Sequence, residues 1–198
     1  MKLIDKVRIA RDMLRVRVGG KAVPIAVRLQ LTNKCPLRCV YCSIWKTPSL
    51  EMTTAQVCTL LDELACAGTK VISFSGGEPM MRSDFTEIIK YCRAKKIRPE
   101  INSTGYLVSR KRAAIKHIDL IKFSLDGPRE VHDAARTAGS HAAVIQAADI
   151  AAEDGVSFTF ATTITKYNVG SFDYLLSVAE RYDTLVAFQP LKVLYRGV

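Results

Sequence analysis

Three cysteines, Cys35, Cys39 and Cys42, lie in one short stretch of the sequence with the spacing C-x3-C-x2-C. Thiolates bind soft and borderline metals, so three of them on one loop can converge on a single centre. A structural zinc site takes four protein ligands, and no fourth Cys or His is close in the sequence. A cubane [4Fe–4S] cluster held by three thiolates leaves one iron open to a substrate or cofactor. The spacing therefore favours an iron–sulfur centre.

The elements that must position this stretch alternate between short apolar runs and helical patterns. We predict strands over 25–31, 70–75, 98–102, 119–125, 156–163 and 184–189, and helices over 53–67, 83–96, 109–117, 140–154 and 171–182. This alternation indicates βα units around a parallel sheet. The units could form an open doubly wound sheet or an incomplete (β/α) barrel. In both folds the functional groups collect at the C-terminal ends of the strands, where the cysteines also lie.

Several helices have recognisable N-terminal signals. The predicted helix starts are Thr53 or Thr54, Ser83-Asp84 with Glu87 as a capping box, and Ser171. The cysteines outside the cluster motif, Cys58, Cys66 and Cys92, fall on predicted helices. We expect all three to be buried thiols, because free cysteine is a common core residue.

Polar residues and glycines follow the predicted strands. The second strand ends in Ser75-Gly76-Gly77-Glu78-Pro79, in which glycines allow close backbone approach and a carboxylate can accept hydrogen bonds from an ammonium group. The fourth strand runs into Ser124 and Asp126, which strand alternation predicts on one face. The third strand leads to Asn102, the fifth to Thr163 and the sixth to Gln189.

The cysteine motif, with Tyr41 before its last cysteine, resembles that of the radical S-adenosylmethionine (SAM) superfamily. The resemblance implies an α/β fold, a partial (β/α)6 barrel open at the side, with the cluster in the loop after the first strand. Cys35, Cys39 and Cys42 would ligate a [4Fe–4S] cluster, and SAM would chelate the open iron. Reductive cleavage of SAM would then yield a 5′-deoxyadenosyl radical. An external one-electron reductant, such as flavodoxin or ferredoxin, would supply the electron.

The same resemblance gives roles to the strand-end residues. The stretch Gly76, Gly77, Glu78 and Pro79 corresponds to the contact with the SAM amino group, and Arg136 to a bidentate partner of its carboxylate. Tyr41, Asn102, Ser124 and Asp126 are the other expected SAM-binding residues, with Thr163 and Gln189 as pocket lining. The family pattern after Ser124 includes His132-Asp133 and Arg136. Thr137 stands where a glycine commonly follows the arginine.

The net charge of +10 suggests an anionic partner, and much of the charge lies in the first twenty residues. We predict a basic amphipathic helix over 3–16, a segment 1–20 and a core domain 21–198, and these favour an anionic or membrane-associated substrate. Aromatic residues are not interleaved with the basic ones, so we expect no nucleic-acid binding. The first residues lack a secretory signal and no apolar stretch could span a bilayer, which predicts a cytoplasmic protein.

Two other functions stay open. The chain could be an iron–sulfur protein for electron transfer or scaffolding without SAM chemistry, in which case Glu78 would not be needed. It could also be a zinc-stabilised binding module that recruits His132 or His141 as a fourth ligand. No cysteine follows Cys92, so we expect no auxiliary cluster in these residues, and we expect the family's last helix to be lacking after the sixth strand. The substrate classes that stay open are a peptide, a lipid- or sugar-linked precursor and a small metabolite.

Overall fold

A computed structural model describes residues 23–48 and 50–191 of the chain. Its centre is one six-stranded parallel sheet in which neighbouring strands follow one another in the order β1-β2-β3-β4-β5-β6. The strands are β1 (Ala26–Thr32), β2 (Val71–Gly76), β3 (Arg98–Ser103), β4 (Leu120–Ser124), β5 (Phe158–Ile164) and β6 (Val186–Pro190).

The strand order decides between the two architectures that the sequence allowed. In a doubly wound sheet the order of the strands reverses at a switch point, whereas here each strand lies beside its successor in the sequence. Right-handed crossovers that all advance in one direction place their helices on the same face of the sheet. Within the described residues β1 pairs only with β2 and β6 only with β5, so the barrel is open. The prediction of a partial (β/α)6 barrel is confirmed.

The helices between the strands match five of the predicted segments and add one. They are α1 (Thr54–Cys66), α2 (Phe85–Ala94), α3 (Arg112–Ile115), α4 (Arg129–Ala135), α5 (Ser140–Glu153) and α6 (Phe172–Arg181), with 3-10 turns at Ile44–Lys46, Pro79–Met81 and Val169–Ser171. Helix α4 was not predicted. The helix expected over 3–16 lies outside the described residues. In the part of the chain that is described, none of the helices has the length and apolar character needed to cross a membrane.

Side-chain alternation along the strands separates an apolar outer face from a polar inner face. Phe74, Phe123 and Phe160 are fully buried and belong to the core between sheet and helices. Their neighbours Ser75 and Ser124 point to the inner face, where they line a cavity. The apolar face holds the barrel together by burial, and the polar face remains available for ligands.

The helix caps differ from the prediction at α2. A capping box is present at α1, where the Thr53 hydroxyl accepts from the Gln56 N–H and the Gln56 side chain accepts from the Thr53 N–H. The capping box predicted at Ser83-Asp84 and Glu87 is wrong, because no side chain caps the start of α2. The Asp84 carboxylate accepts instead from the Arg82 guanidinium at 2.6 and 2.8 Å and from the Thr54 hydroxyl at 2.6 Å. A charged partner therefore takes the carboxylate away from the helix end.

The three cysteines outside the motif have different environments. Cys92 is fully buried, as predicted. Cys58 is only half-buried and Cys66 is exposed, so the prediction of a core thiol is wrong for Cys66. The buried positions of α1 are Val57 and Leu61, one helical turn apart. Cys66 lies five residues beyond Leu61, which turns it well away from that stripe.

Candidate active site

A cavity of about 190 Å³ lies at the C-terminal ends of the strands and brings most of the predicted site residues together. The cysteine-loop residues that line it are Cys35, Cys39, Tyr41 and Cys42. The predicted residues that line it from other parts of the chain are Gly76, Gly77, Asn102, Ser124, Thr163 and Arg136. The parallel strands thus bring these side chains together, although the residues are up to 128 positions apart in the sequence.

The three motif cysteines are free thiols that face this cavity. Burial raises the pKa of the Cys35 thiol to about 11 and also raises the pKa of Cys39. Within the described residues no three His, Cys, Asp or Glu side chains converge closely enough to hold a single metal ion. A cubane places each thiolate on a different iron, so its ligands need not meet at one point. Three thiols around one cavity are the donor set that such a cluster takes.

Backbone contacts hold the cysteine loop against β2 and α4. The Val40 N–H donates to the Ala135 carbonyl at 2.9 Å, and the Glu78 N–H donates to the Lys34 carbonyl at 2.8 Å. A Cβ atom on Gly77 would lie 2.3 Å from the Lys34 oxygen. The glycine is therefore needed for the approach of β2 to the cysteine loop, in addition to lining the cavity.

Glu78 is buried and does not line the cavity, and the same holds for Pro79. The contacts of Glu78 are within the protein. Its carboxylate accepts from the Thr104 N–H and hydroxyl, both at 2.7 Å, and from the Ser103 hydroxyl at 3.1 Å. The Met80 N–H adds a longer bond at 3.3 Å. Burial raises the pKa of Glu78 in spite of these hydrogen bonds. In this structure the carboxylate ties the end of β2 to the end of β3. The contact of this stretch with the SAM amino group stays a prediction.

Asp126 is likewise buried, and its partners tie three parts of the site together. Arg136 donates to it from Nε at 2.7 Å and from Nη2 at 3.1 Å. The Tyr41 hydroxyl donates at 2.6 Å and the Thr163 N–H at 2.9 Å. Burial by itself would raise the pKa of Asp126, but the charge and hydrogen bonds of Arg136 hold that pKa below its ordinary value. The Asp126–Arg136 pair thus fixes the tyrosine of the cysteine motif.

Asp126 is buried in the loop after β4 and contacts the cavity wall. Strand β4 ends at Ser124, which lines the cavity, whereas Asp126 does not line it but contacts Tyr41, Arg136 and Thr163, which do. The expectation that Ser124 and Asp126 share one face stays a prediction. The Asp126 N–H donates to Nδ1 of His132 at 3.1 Å, which holds the loop in this path.

Six of the described residues that line the cavity were not among the predicted site residues. They are Leu37, Ile44, Trp45, Ser75, Ser103 and Thr104. Alternation along β2 could have identified Ser75, since it shares a face with Ser73. The indole Nε1 of Trp45 is buried and has no hydrogen-bond partner in the part of the chain that the structure describes. The guanidinium of Arg38 lies 4.7 Å from the centre of the Trp45 ring.

The two histidines named for a zinc site do not line the cysteine cavity. His132 is buried, and burial followed by the charge of Arg136 lowers its pKa to about 3. Nε2 of His141 lies 2.6 Å from the Tyr174 hydroxyl.

Gln189, the remaining predicted residue, lines an adjoining cavity of about 310 Å³. On the other side of Tyr41 lies a wider apolar groove of about 1040 Å³, with Val40 and Ile164 in its wall.

The fold and the site define a partial barrel with a three-cysteine centre at the ends of its strands. The sequence model of the Radical SAM superfamily matches residues 29–179, and the chain belongs to this family. Enzymes of this family use a [4Fe–4S] cluster and SAM.

Curated relatives include the mycofactocin maturase MftC of Mycobacterium ulcerans, 32% identical over 90% of this chain and 50% of the relative. The Fe-coproporphyrin III synthase of Methanosarcina barkeri is 34% identical over 89% of this chain and 47% of the relative. The chain thus spans about half the length of the curated relatives it matches.

Solved structures give the same fold at lower sequence identity. SuiB of Streptococcus suis, bound to S-adenosylmethionine, matches 98% of this chain and 47% of its own, with a TM-score of 0.80 and 15% identity. The anSMEcpe structure with bound AdoMet and a peptide matches 84% and 52%, with a TM-score of 0.71 and 18% identity. At these identities the similarity shows the fold alone.

Proposed function

We propose that this chain binds a [4Fe–4S] cluster on Cys35, Cys39 and Cys42 and acts as a radical SAM enzyme. The single observation that carries the proposal is the cavity at the strand ends, which three free thiols share with Arg136 and with the glycines of β2. Electron transfer or scaffolding would not require a polar cavity beside the cysteines. The division into a segment 1–20 and a core domain 21–198 remains a prediction.

The bound cluster would supply one electron to cleave SAM into methionine and a 5′-deoxyadenosyl radical, which takes a hydrogen atom from the substrate. The residues of this chain bind and orient. Asp126 occupies Nε and Nη2 of Arg136, which leaves Nη1 without a partner among the described residues. We infer that Nη1 donates to the SAM carboxylate, a narrower contact than the bidentate one expected from the sequence.

Gly76 and Gly77 supply backbone at the cavity wall, where a side chain on Gly76 would collide with Thr32 of β1 and one on Gly77 with Lys34 of the cysteine loop. We infer that the backbone of these glycines contacts the methionyl end of SAM, while Glu78 acts indirectly by holding Ser103 and Thr104 in place. Asn102, Ser124 and Thr163 would contact the ribose or the methionyl end from the same wall.

An external one-electron reductant such as flavodoxin or ferredoxin completes the proposal. All six cysteines are free thiols, which fits a reducing compartment such as the cytoplasm. The membrane-associated or anionic substrate, drawn from the basic segment 3–16, stays a prediction. We favour a large substrate, because the barrel is open between β1 and β6 in the described residues. Relatives include enzymes named as a mycofactocin maturase and a PqqA peptide cyclase, which supports a peptide.

The test is anaerobic reconstitution with iron and sulfide, then incubation with SAM and dithionite while chromatography detects 5′-deoxyadenosine. We expect product from the unchanged chain and from the control Cys66→Ala, because Cys66 is exposed and distant in sequence from the motif. Cys39→Ala should lose both the product and the absorption and EPR signals of the cluster. A cluster that binds while SAM stays intact would contradict the proposal in favour of electron transfer. Zinc in place of iron would contradict both.

A further inference from the structure

A cationic cavity in the barrel interior adjoins the cofactor cavity. It measures about 310 Å³ and shares Ser75, Asn102, Ser124 and Arg136, among others, with the cofactor cavity. Arg28, Gln30 and Gln189 line this cavity but not the cofactor cavity. Arg28 comes from β1 and alternates with Val27 and Leu29, which pack against the core, so its side chain lies on the inner face of the sheet.

Arg28 is the charge in this cavity that the described residues leave unpaired. Neither an Asp nor a Glu of residues 23–48 or 50–191 lines the cavity. Its second arginine, Arg136, is neutralised by Asp126 at 2.7 Å. The nearby inner-face cation Lys122 is paired with Glu100, also at 2.7 Å. Arg28 forms no hydrogen bond or ion pair with any described residue, and its side chain is exposed to the cavity.

The position of Arg28 separates it from the SAM site. It precedes Thr32, the last residue of β1, by four residues, which corresponds to roughly 13 Å along a strand. Arg28 does not line the cavity of the cysteines. A carboxylate of SAM that is held near the cysteines and Arg136 is therefore not its partner.

We propose that Arg28 binds a carboxylate group of the substrate in this inner cavity, an inference that rests on the proposed function. The guanidinium fork matches a carboxylate with two parallel hydrogen bonds. The amides of Gln30 and Gln189 supply further polar contacts in the same cavity. One unpaired positive charge matches a monoanion, whereas a phosphate monoester carries about −1.5 to −2 at neutral pH. Arg28 is thus a specificity-determining residue for acidic substrates.

The test uses the full chain with its cluster reconstituted, labelled with 15N-arginine and saturated with SAM so that Arg136 is covered. Acetate is the probe, titrated at constant ionic strength, and inorganic phosphate is the second probe. The Arg28 Nε–H resonance is assigned by its loss in Arg28→Gln. We expect this resonance to shift saturably with acetate and less with phosphate. The control Arg110→Gln removes the same charge from an exposed position outside the cavity and should keep the acetate shift.

Three outcomes would overturn the inference. The Arg28 resonance could stay fixed while acetate is added, or phosphate could bind more tightly than acetate. A SAM dissociation constant raised about tenfold or more in Arg28→Gln would assign the arginine to the SAM carboxylate instead. Failure of the proposed function looks different, because the unchanged chain would then neither bind SAM in equilibrium dialysis nor cleave it. Acetate binding to the chain alone would still test Arg28 in that case.

Discussion

The loops after β2 and β4 each bury one carboxylate, and the two carboxylates are stabilised in different ways. Glu78 accepts hydrogen bonds from hydroxyl and backbone donors, and no cation contacts it among the described residues. Asp126 is paired with the Arg136 guanidinium and also accepts from Tyr41. Burial raises the pKa of Glu78, whereas the arginine holds the pKa of Asp126 below its ordinary value.

The difference follows from what each carboxylate connects. Glu78 joins the ends of two neighbouring strands, whose backbone is already held by the sheet, and neutral donors suffice there. Asp126 joins β4 to its neighbour β5 and also to the cysteine loop and the segment after α4, neither of which is a strand of the sheet. A charged, bidentate contact fixes such separate elements more strongly than neutral hydrogen bonds do. Substitutions at the two carboxylates should therefore have unequal effects.

The largest expected effect comes from Arg136→Met, which leaves Asp126 buried without its cation. Breaking a buried pair on one side costs about 3–5 kcal/mol of unfolding free energy. Urea unfolding followed by circular dichroism measures this loss, with Arg110→Met as the control for a surface arginine. A loss below about 1 kcal/mol would show that the pair does not stabilise the fold.

A second effect depends on pH and belongs to the β4 loop alone. Burial and the charge of Arg136 lower the pKa of His132 from 6.5 to about 3, so the folded chain keeps the ring neutral while the unfolded chain protonates it. The contribution to stability is complete above pH 6.5 and is lost as the pH falls from there towards 3. Around pH 5 the loss is about 2 kcal/mol relative to neutral pH.

The pH dependence is measured as unfolding free energy between pH 7 and pH 4. Besides Arg136, His141 lowers the pKa of His132, whereas Asp126 and Asp133 raise it. In His132→Asn the side-chain oxygen can still accept from the Asp126 N–H, but the titrating group is gone. The curve of this variant should be flatter than that of the unchanged chain. Parallel curves would assign the acid sensitivity to another group.

The smallest effect is expected at the β2 loop, from Glu78→Gln. The amide keeps one oxygen to accept from the Thr104 N–H and hydroxyl, and the Ser103 hydroxyl can rotate to accept from the new NH2 group. The Met80 N–H, whose bond to the other oxygen is 3.3 Å long, loses its acceptor. We expect a loss of about 1 kcal/mol, the net value of a neutral hydrogen bond. The same urea experiment measures it. A loss as large as that of Arg136→Met would erase the distinction between the two loops.

The sequence predicted the fold and much of the site. The cysteine spacing, the glycines after β2 and Arg136 were all identified, and the structure places them around one cavity. The errors share a cause, because each concerns what a side chain touches. Asp84 was predicted to cap a helix, but its carboxylate is paired with Arg82. Cys66 was predicted to be buried, but it lies outside the buried face of α1 and is exposed.

What the sequence determined by itself is local and periodic: strands, helices, and chemical motifs at the strand ends, which follow from backbone geometry and residue spacing. What only the tertiary structure decided is which charges meet. Arg136 pairs with Asp126 and Lys122 pairs with Glu100, whereas Arg28 on the inner face has no partner among the described residues. Strand order and register set these pairings, because groups far apart in the chain become neighbours only when the sheet has formed.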